Sequence, residues 1–232
     1  MDTIKINKLN TKMVAHRGVS KIEPENTLAA FELAGKTSHY GIECDVHVTK
    51  DKKYFVNHDF SLLRTYGVEK HVEELTSKEL KEIKNLANNA PVPEYKEYLA
   101  ICKKYSKVAV VELKGVYTED ELAGLVDETK KSGYLENVVF IAFDLINLIK
   151  LREILPKQPM QFLTKVYNEN ILDALNRYNL DLDIKYQTLT EEIIKEVQSS
   201  GHIVNTWTID DKDIAEEFAS FGIDMITSNI LE

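Results

Sequence analysis

Cysteine is nearly absent: Cys44 and Cys102 are the only two in 232 residues. That is too few for a disulfide framework, and their spacing is not that of a zinc site. No run approaches the ~18–20 consecutive apolar residues that span a bilayer. The opening Met1–Asn10 has neither a continuous apolar stretch nor a small-residue cleavage site, so it does not read as a signal peptide. There is no internal repeat, no low-complexity tract and no glycine-rich phosphate loop; Gly115 and Gly124 read as loop or helix-packing glycines. A basic excess is missing too, with a formal net charge of −9 and a pI of about 5.3. This argues against nucleic acid or an anionic membrane as a bulk electrostatic partner, since both reward a basic surface. A small anionic substrate, which responds to local charge, stays open. The expectation is a cytoplasmic protein without stable membrane insertion.

Hydrophobic residues make up 44% of the chain, enough for a sizeable core, and charged residues an ordinary 29%. Apolar runs predict strands at Met13–His16, Gly41–Val46, Val108–Lys114, Val138–Phe143, Met160–Leu163, Leu182–Tyr186, Ile203–Thr208 and Asp224–Ser228, with an extra one at Tyr54–Asn57. Several are continuous, as in strands covered on both faces. Thr118 with Glu121 forms a capping-box pattern, and Asp144, Asn168, Thr190 and Asp210 are candidate N-caps. Pro24–Thr27 opens a further helix with Leu28, Phe31, Leu33 and Ala34 on its apolar face. Alternating strands and helices imply a parallel sheet with crossover helices. Eight such units in 232 residues predict one α/β domain over residues 1–232, a (β/α)8 barrel. A doubly wound open sheet is the alternative. The stretch from about residue 47 to 93 is too long for a simple loop and reads as an insertion on the rim after the second strand, with a short helix from Thr76–Glu79.

Chemistry gathers at strand ends. Residues two apart on a strand share a face, so Glu43 projects with Asp45, and Glu112 with Lys114. Cys44 then faces the helices as a small buried hydrophobe. Three converging carboxylates repel unless a hard cation holds them, and an all-oxygen set favours Mg2+, Ca2+ or Mn2+ over zinc. Loop solvation or ion pairing is the plainer account of any one of them. Arg17 and Lys114 suit phosphoryl oxygens, unless they pair with the neighbouring carboxylates. His16 and His58 suit general base and general acid work. His39, His47, His71 and His202 lack such neighbours and read as structural or exposed. Trp207 and Phe143 end strand runs and suit an apolar wall for a substrate, or else core packing.

In these motifs the chain resembles the glycerophosphodiester phosphodiesterase family over nearly its whole length. His16-Arg-Gly18 with Pro24-Glu-Asn-Thr-Leu-Ala-Ala-Phe31 is similar to the opening signature. Glu43-Cys-Asp45, His58-Asp59 with Leu62 and Arg64-Thr65, Glu112-Leu-Lys114, Trp207-Thr208 and Gly222–Asn229 resemble the later ones. The resemblance implies a TIM barrel with a small insertion after strand two and one divalent cation, usually Ca2+ or Mg2+, on Glu43, Asp45 and Glu112. It implies cleavage of a small-molecule diester such as glycerophosphocholine to glycerol 3-phosphate and an alcohol. The glycerol 2-hydroxyl attacks phosphorus, and water opens the cyclic phosphate that results. His16 is then the first base and His58 the first acid, with Arg17 and the metal on the phosphoryl oxygens. Ser228-Asn229 stands where many members carry Thr-Asp, and Pro91–Tyr95 departs before the third strand. Both are expected to lie away from the catalytic set. A lysophospholipase D- or phosphoinositide phospholipase C-like enzyme would need an apolar rim, and the sequence suggests no exposed aromatic cluster or basic patch. A non-catalytic phosphodiester-binding barrel would lack a histidine or a carboxylate, and none is missing.

Overall fold

A computed structural model describes residues 2–232. Strand β1 (Lys12–Ala15) leads to α1 (Leu28–Lys36) and β2 (Gly41–Val48). Then come β3 (Tyr54–Val56), α2 (Leu63–Tyr66), α3 (Ser77–Glu82) and α4 (Tyr95–Lys104). Strand and helix alternate from there: β4 (Val108–Leu113), α5 (Glu119–Lys131), β5 (Val138–Ala142), α6 (Leu145–Ile154), β6 (Met160–Thr164) and α7 (Glu169–Tyr178). The chain ends with β7 (Asp181–Lys185), α8 (Glu191–Ser199), β8 (Val204–Trp207), α9 (Lys212–Ser220) and β9 (Met225–Ser228).

The parallel strands run in the order β1-β9-β8-β7-β6-β5-β4-β2, and β1 closes the ring by pairing with β2, Val14 beside Gly41. The fold is therefore a (β/α)8 barrel; an open doubly wound sheet would leave two edge strands. β2 carries the antiparallel β3 on its upper end, Val46 beside Val56. Alternation divides the strand as predicted: Ile42, Cys44, Val46 and Val48 pack under the helices, and both cysteines are free and buried. No helix of the described residues is long and apolar enough to cross a membrane.

Thr118, Asn168 and Thr190 cap α5, α7 and α8 through their side chains, and Thr27 caps α1. Asp210 does not cap α9, contrary to expectation. Asp211 does, accepting from the Asp213 and Ile214 N–H groups, because the Asp210 carboxylate is occupied elsewhere, as described below. Asp144 occupies the N-cap position of α6 without a side-chain bond. Helix α4 was not singled out by the sequence, although Tyr95, Tyr98, Leu99 and Cys102 bury one face at helical spacing. Between β3 and α4 the rim segment builds a small core of its own from Phe55, Leu62, Tyr66, Val72, Leu75, Leu80 and Val92.

His39 ties the start of β2 to the chain end. Its Nε2–H donates to the Leu231 carbonyl at 2.9 Å, and Thr37 Oγ1 lies 2.6 Å from Nδ1. Burial lowers its pKa from 6.5 to about 4. The unfolded chain thus takes up a proton that the folded one refuses, and stability is lost as pH falls from 6.5 towards about 4. The full loss is about 3 kcal/mol. Urea unfolding at pH 7 and pH 4.5 should show this acid loss in the native chain and a flatter response in His39→Gln.

Candidate active site

At the end of β1 the backbone turns sharply. Arg17 sits in the left-handed region at φ 55° and Gly18 at φ 77°. A non-glycine residue there is strained by about 1 kcal/mol, and the Arg17 N–H offsets this by donating to Glu43 Oε2 at 2.7 Å. Gly18 has no substitute: a Cβ on it would lie 2.5 Å from the Ala30 backbone. The turn leaves His16 at the mouth of the barrel.

Asp45 on β2 stands beside Glu112 on β4 in the sheet register. Oxygens of Glu43, Asp45 and Glu112 lie within 4.8 Å of one another. Lys114 Nζ lies 2.7 Å from Glu112 Oε1 and 3.3 Å from Asp45 Oδ1. Arg17 Nε lies 3.3 Å from Asp45 Oδ2, and Asn26 Nδ2 donates to the same oxygen at 2.8 Å. Burial pushes Glu43 well above the carboxylate range, with Asp45 and Glu112 adding to it. Burial and Asp45 likewise raise Glu112 to about 7. Burial acts upward on Asp45 too, but Lys114 and Arg17 outweigh it and hold that carboxyl low. Glu43 Oε1 and Asp45 Oδ1 are buried without a hydrogen-bond donor. Three carboxylates against two cations, with Glu43 Oε1 bare and Asp45 Oδ1 met only by the Lys114 ammonium at 3.3 Å, fit a hard divalent cation by donor chemistry and by unmet charge.

The two histidines are held differently. His16 Nδ1 is 2.7 Å from Asn229 Oδ1, which also accepts from Ser20 Oγ at 2.6 Å. Asn229 Nδ2 donates to Asp210 Oδ2 at 2.7 Å, which fixes the amide with its oxygen towards the ring. The ring proton therefore sits on Nδ1, and Nε2 keeps its lone pair. Burial, with Arg17 next, lowers His16 to about 4, so the imidazole is neutral near pH 7. His58 Nδ1 instead faces Asp59 Oδ1 at 2.6 Å, and Arg64 Nε holds the other Asp59 oxygen at 2.6 Å. Burial lowers His58 as well, against the upward pull of Asp45 and of its carboxylate partner Asp59.

His16, Glu43, His58, Glu112, Phe143 and Trp207 line one cavity, with Ile141, Leu163, Asp183 and Thr227. Phe143 and Trp207 meet edge to face at 5.6 Å. Asp45, Arg17 and Lys114 are not on its wall but in the ion pairs behind it. Arg17 also reaches Glu25 at 3.0 Å, and Glu25 is bonded in turn by Arg64. The structure reverses one expectation, since Asn229 is not remote from the candidate catalytic residues but bonded to His16. Its partner Asp210 also binds Ser228 Oγ and the Asn229 N–H, which is why it caps no helix. Asn229, Asp59, Glu25 and Asn26 escaped sequence reasoning as site residues. So did Asp183, though it alternates with Leu182 and Ile184 as Glu43 does with its neighbours. The remaining histidines lie outside the cavity, His47 buried against Glu73 beneath the rim segment.

The glycerophosphoryl diester phosphodiesterase family profile matches residues 16–231. A glycerophosphodiester phosphodiesterase of Caldanaerobacter subterraneus subsp. tengcongensis is 27% identical over 233 residues, covering 95% of each chain. The crystal structure of a glycerophosphodiester phosphodiesterase from Parabacteroides distasonis superposes with a TM-score of 0.84 at 27% identity, covering 95% of this chain and 93% of that one. The fold also matches a phosphodiesterase from Oleispira antarctica, itself solved with the product sn-glycerol-3-phosphate, with a TM-score of 0.89, 22% identity and 97% and 96% coverage.

Proposed function

The chain belongs to the glycerophosphoryl diester phosphodiesterase family and is an enzyme of that kind, and on this premise we propose that it hydrolyses small glycerophosphodiesters to glycerol 3-phosphate and an alcohol by two-histidine acid–base catalysis. The observation that carries the reading is that His16 and His58, from different segments, line one cavity together with Glu43 and Glu112. We assign Glu43, Asp45 and Glu112 to one divalent cation, Mg2+, Ca2+ or Mn2+ by their all-oxygen chemistry. When bound, it supplies positive charge to the phosphoryl oxygens.

His16 Nε2 removes the proton of the glycerol 2-hydroxyl, whose oxygen then bonds to phosphorus. The bond from phosphorus to the alcohol oxygen breaks, and the His58 imidazolium, held by Asp59, protonates that oxygen. The product is a cyclic phosphate. In the second step His58, now neutral, takes a proton from water as the water oxygen bonds to phosphorus. The bond from phosphorus to the 2-oxygen breaks, and His16 returns its proton there. Each histidine ends as it began, and glycerol 3-phosphate leaves. Arg17 and Lys114 keep their carboxylate partners and present their charge to the phosphate from behind the wall. The buried free cysteines suit a reducing, cytoplasmic setting.

Incubation with glycerophosphocholine or glycerophosphoethanolamine should release glycerol 3-phosphate with Mg2+, Ca2+ or Mn2+ and none with EDTA. No release with any metal sinks the reading. A second reading has an observation of its own. Phe60, Val116, Phe143, Ile146 and Val166 are exposed on the segments after β3, β4, β5 and β6, so the rim is more apolar than the sequence suggests. Such a rim suits the acyl chain of a lysophospholipid. Release of the head-group alcohol from lysophosphatidylcholine, in preference to glycerophosphocholine, would select it.

A further inference from the structure

Six buried polar side-chain atoms find no hydrogen-bond partner among the described residues: Arg17 Nε, Glu43 Oε1, Asp45 Oδ1, His47 Nε2, Asp183 Oδ1 and Trp207 Nε1. The first three belong to the charge cluster, and His47 lies under the rim segment. The last two have no such explanation. Asp183 is 2% exposed, and both residues line the active-site cavity. They stand on neighbouring strands, β7 and β8, in a register that sets Asp183 beside Asn205 and Lys185 beside Trp207. Leaving a buried polar group unpaired costs about 1–3 kcal/mol. The other polar groups inside this half of the barrel avoid that cost. Asn205 Nδ2 donates to Gln161 Oε1 at 3.1 Å, and Thr227 Oγ1 donates to Asn205 Oδ1 at 3.2 Å.

Strand order sets where these two atoms lie relative to the chemistry. β7 is four strands from β2 by either route round the ring, so Asp183 faces the Glu43 and Asp45 strand across the barrel. The rest of the cavity wall, on β6 and on and just after β5, is apolar, with Ile141, Phe143 and Leu163. An anionic phosphate is drawn to the histidines and cations. What reaches the far wall is the carbon skeleton, with one polar group to satisfy. A hydroxyl fits the vacant pair, since it accepts from an indole N–H and also bonds a carboxyl oxygen.

We propose that Asp183 and Trp207 Nε1 form a subsite for a free hydroxyl of the substrate, the glycerol hydroxyl on the carbon remote from phosphorus, and so select glycerol over simpler diols. This rests on the glycerophosphodiesterase reading above. The subsite takes no part in bond making, because the 2-hydroxyl beside the phosphorylated carbon is the nucleophile.

The test compares two esters of one alcohol: the glycerol diester, and the propane-1,2-diol diester that keeps the nucleophilic hydroxyl but carries methyl in place of the remote CH2OH. Wild type should favour the glycerol ester by about 10²-fold in kcat/KM, the upper end of what about 1–3 kcal/mol for an unpaired buried polar group amounts to. In Asp183→Leu the ratio should collapse to within about tenfold, with the loss falling on the glycerol ester. Trp207→Phe, which keeps a ring but removes the N–H, should reduce the ratio likewise and serves if Asp183→Leu does not fold. Equal wild-type rates on the two esters overturn the proposal, as do variants that slow both esters by the same factor. Hydrolysis of neither ester under any metal is a different failure, that of the underlying reading, and it takes the subsite with it.

Discussion

His16→Ala should lower kcat for glycerophosphocholine about 10³-fold, within the range that a positioned general base contributes. His58→Ala should cost a comparable factor on the same substrate. The two losses part company when the leaving group changes. A choline oxygen leaves poorly unless it is protonated, whereas a 4-nitrophenolate leaves unaided. On the 4-nitrophenyl ester of glycerol 3-phosphate, His58→Ala should recover most of its activity in the first step, read as nitrophenolate release. His16→Ala should stay slow, because the nucleophile still has to lose a proton. The asymmetry follows from the ring partners. Asn229 Oδ1 leaves His16 Nε2 as a bare acceptor, and Asp59 supports a cationic His58. Recovery of His16→Ala, but not of His58→Ala, would exchange the two roles. Recovery of neither would remove leaving-group protonation from the assignment.

Much of this was legible in the sequence, because strand alternation is a local property. The triplets Glu43-Cys44-Asp45 and Glu112-Leu113-Lys114 follow continuous apolar runs. That is enough to send two carboxylates to the barrel axis and the residue between them to the helices. What stayed hidden is non-local. Asn229 lies 213 residues from His16, and nothing near either residue announces the pair. The Asp210 side chain had two possible uses, a helix cap or an anchor for Asn229, and only the folded loop decides between them. Exposure of Phe60 and Val116 likewise depends on how the rim folds, since a Cβ at Gly115 would come within 3.2 Å of the Phe60 ring. Asp183 is a different case. The alternation that exposed Glu43 applies equally to Asp181-Leu182-Asp183-Ile184, and the clue was there to use.

The carboxylate cluster makes a prediction about stability as well as rate. Without a cation, Glu43 is buried beside Asp45 and Glu112, with Oε1 unpaired. Burying it there is a standing cost, met as repulsion where it is ionised and as an added proton where it is not, and a divalent ion would remove it. Saturating Mg2+, Ca2+ or Mn2+ at about 100 times its Kd should stabilise the fold by about 2.7 kcal/mol. For a chain of this size that is a rise in Tm of roughly 5–10 °C. Glu43→Gln separates the terms. The amide keeps the shape and can still accept from the Arg17 N–H, but it carries no charge. The metal-free variant should therefore melt no lower than the metal-free native chain, and higher if repulsion dominates. It should also lose most of the cation-induced rise, and its phosphodiesterase activity should fall at least about 10²-fold, since residues that only support a metal's ligands already cost about 10–100-fold when lost. A variant that melts well below the native chain without metal would show that Glu43 serves the fold through its bond to Arg17. A variant that keeps the full cation response would remove Glu43 from the ligand set and leave Asp45 and Glu112 to hold the ion.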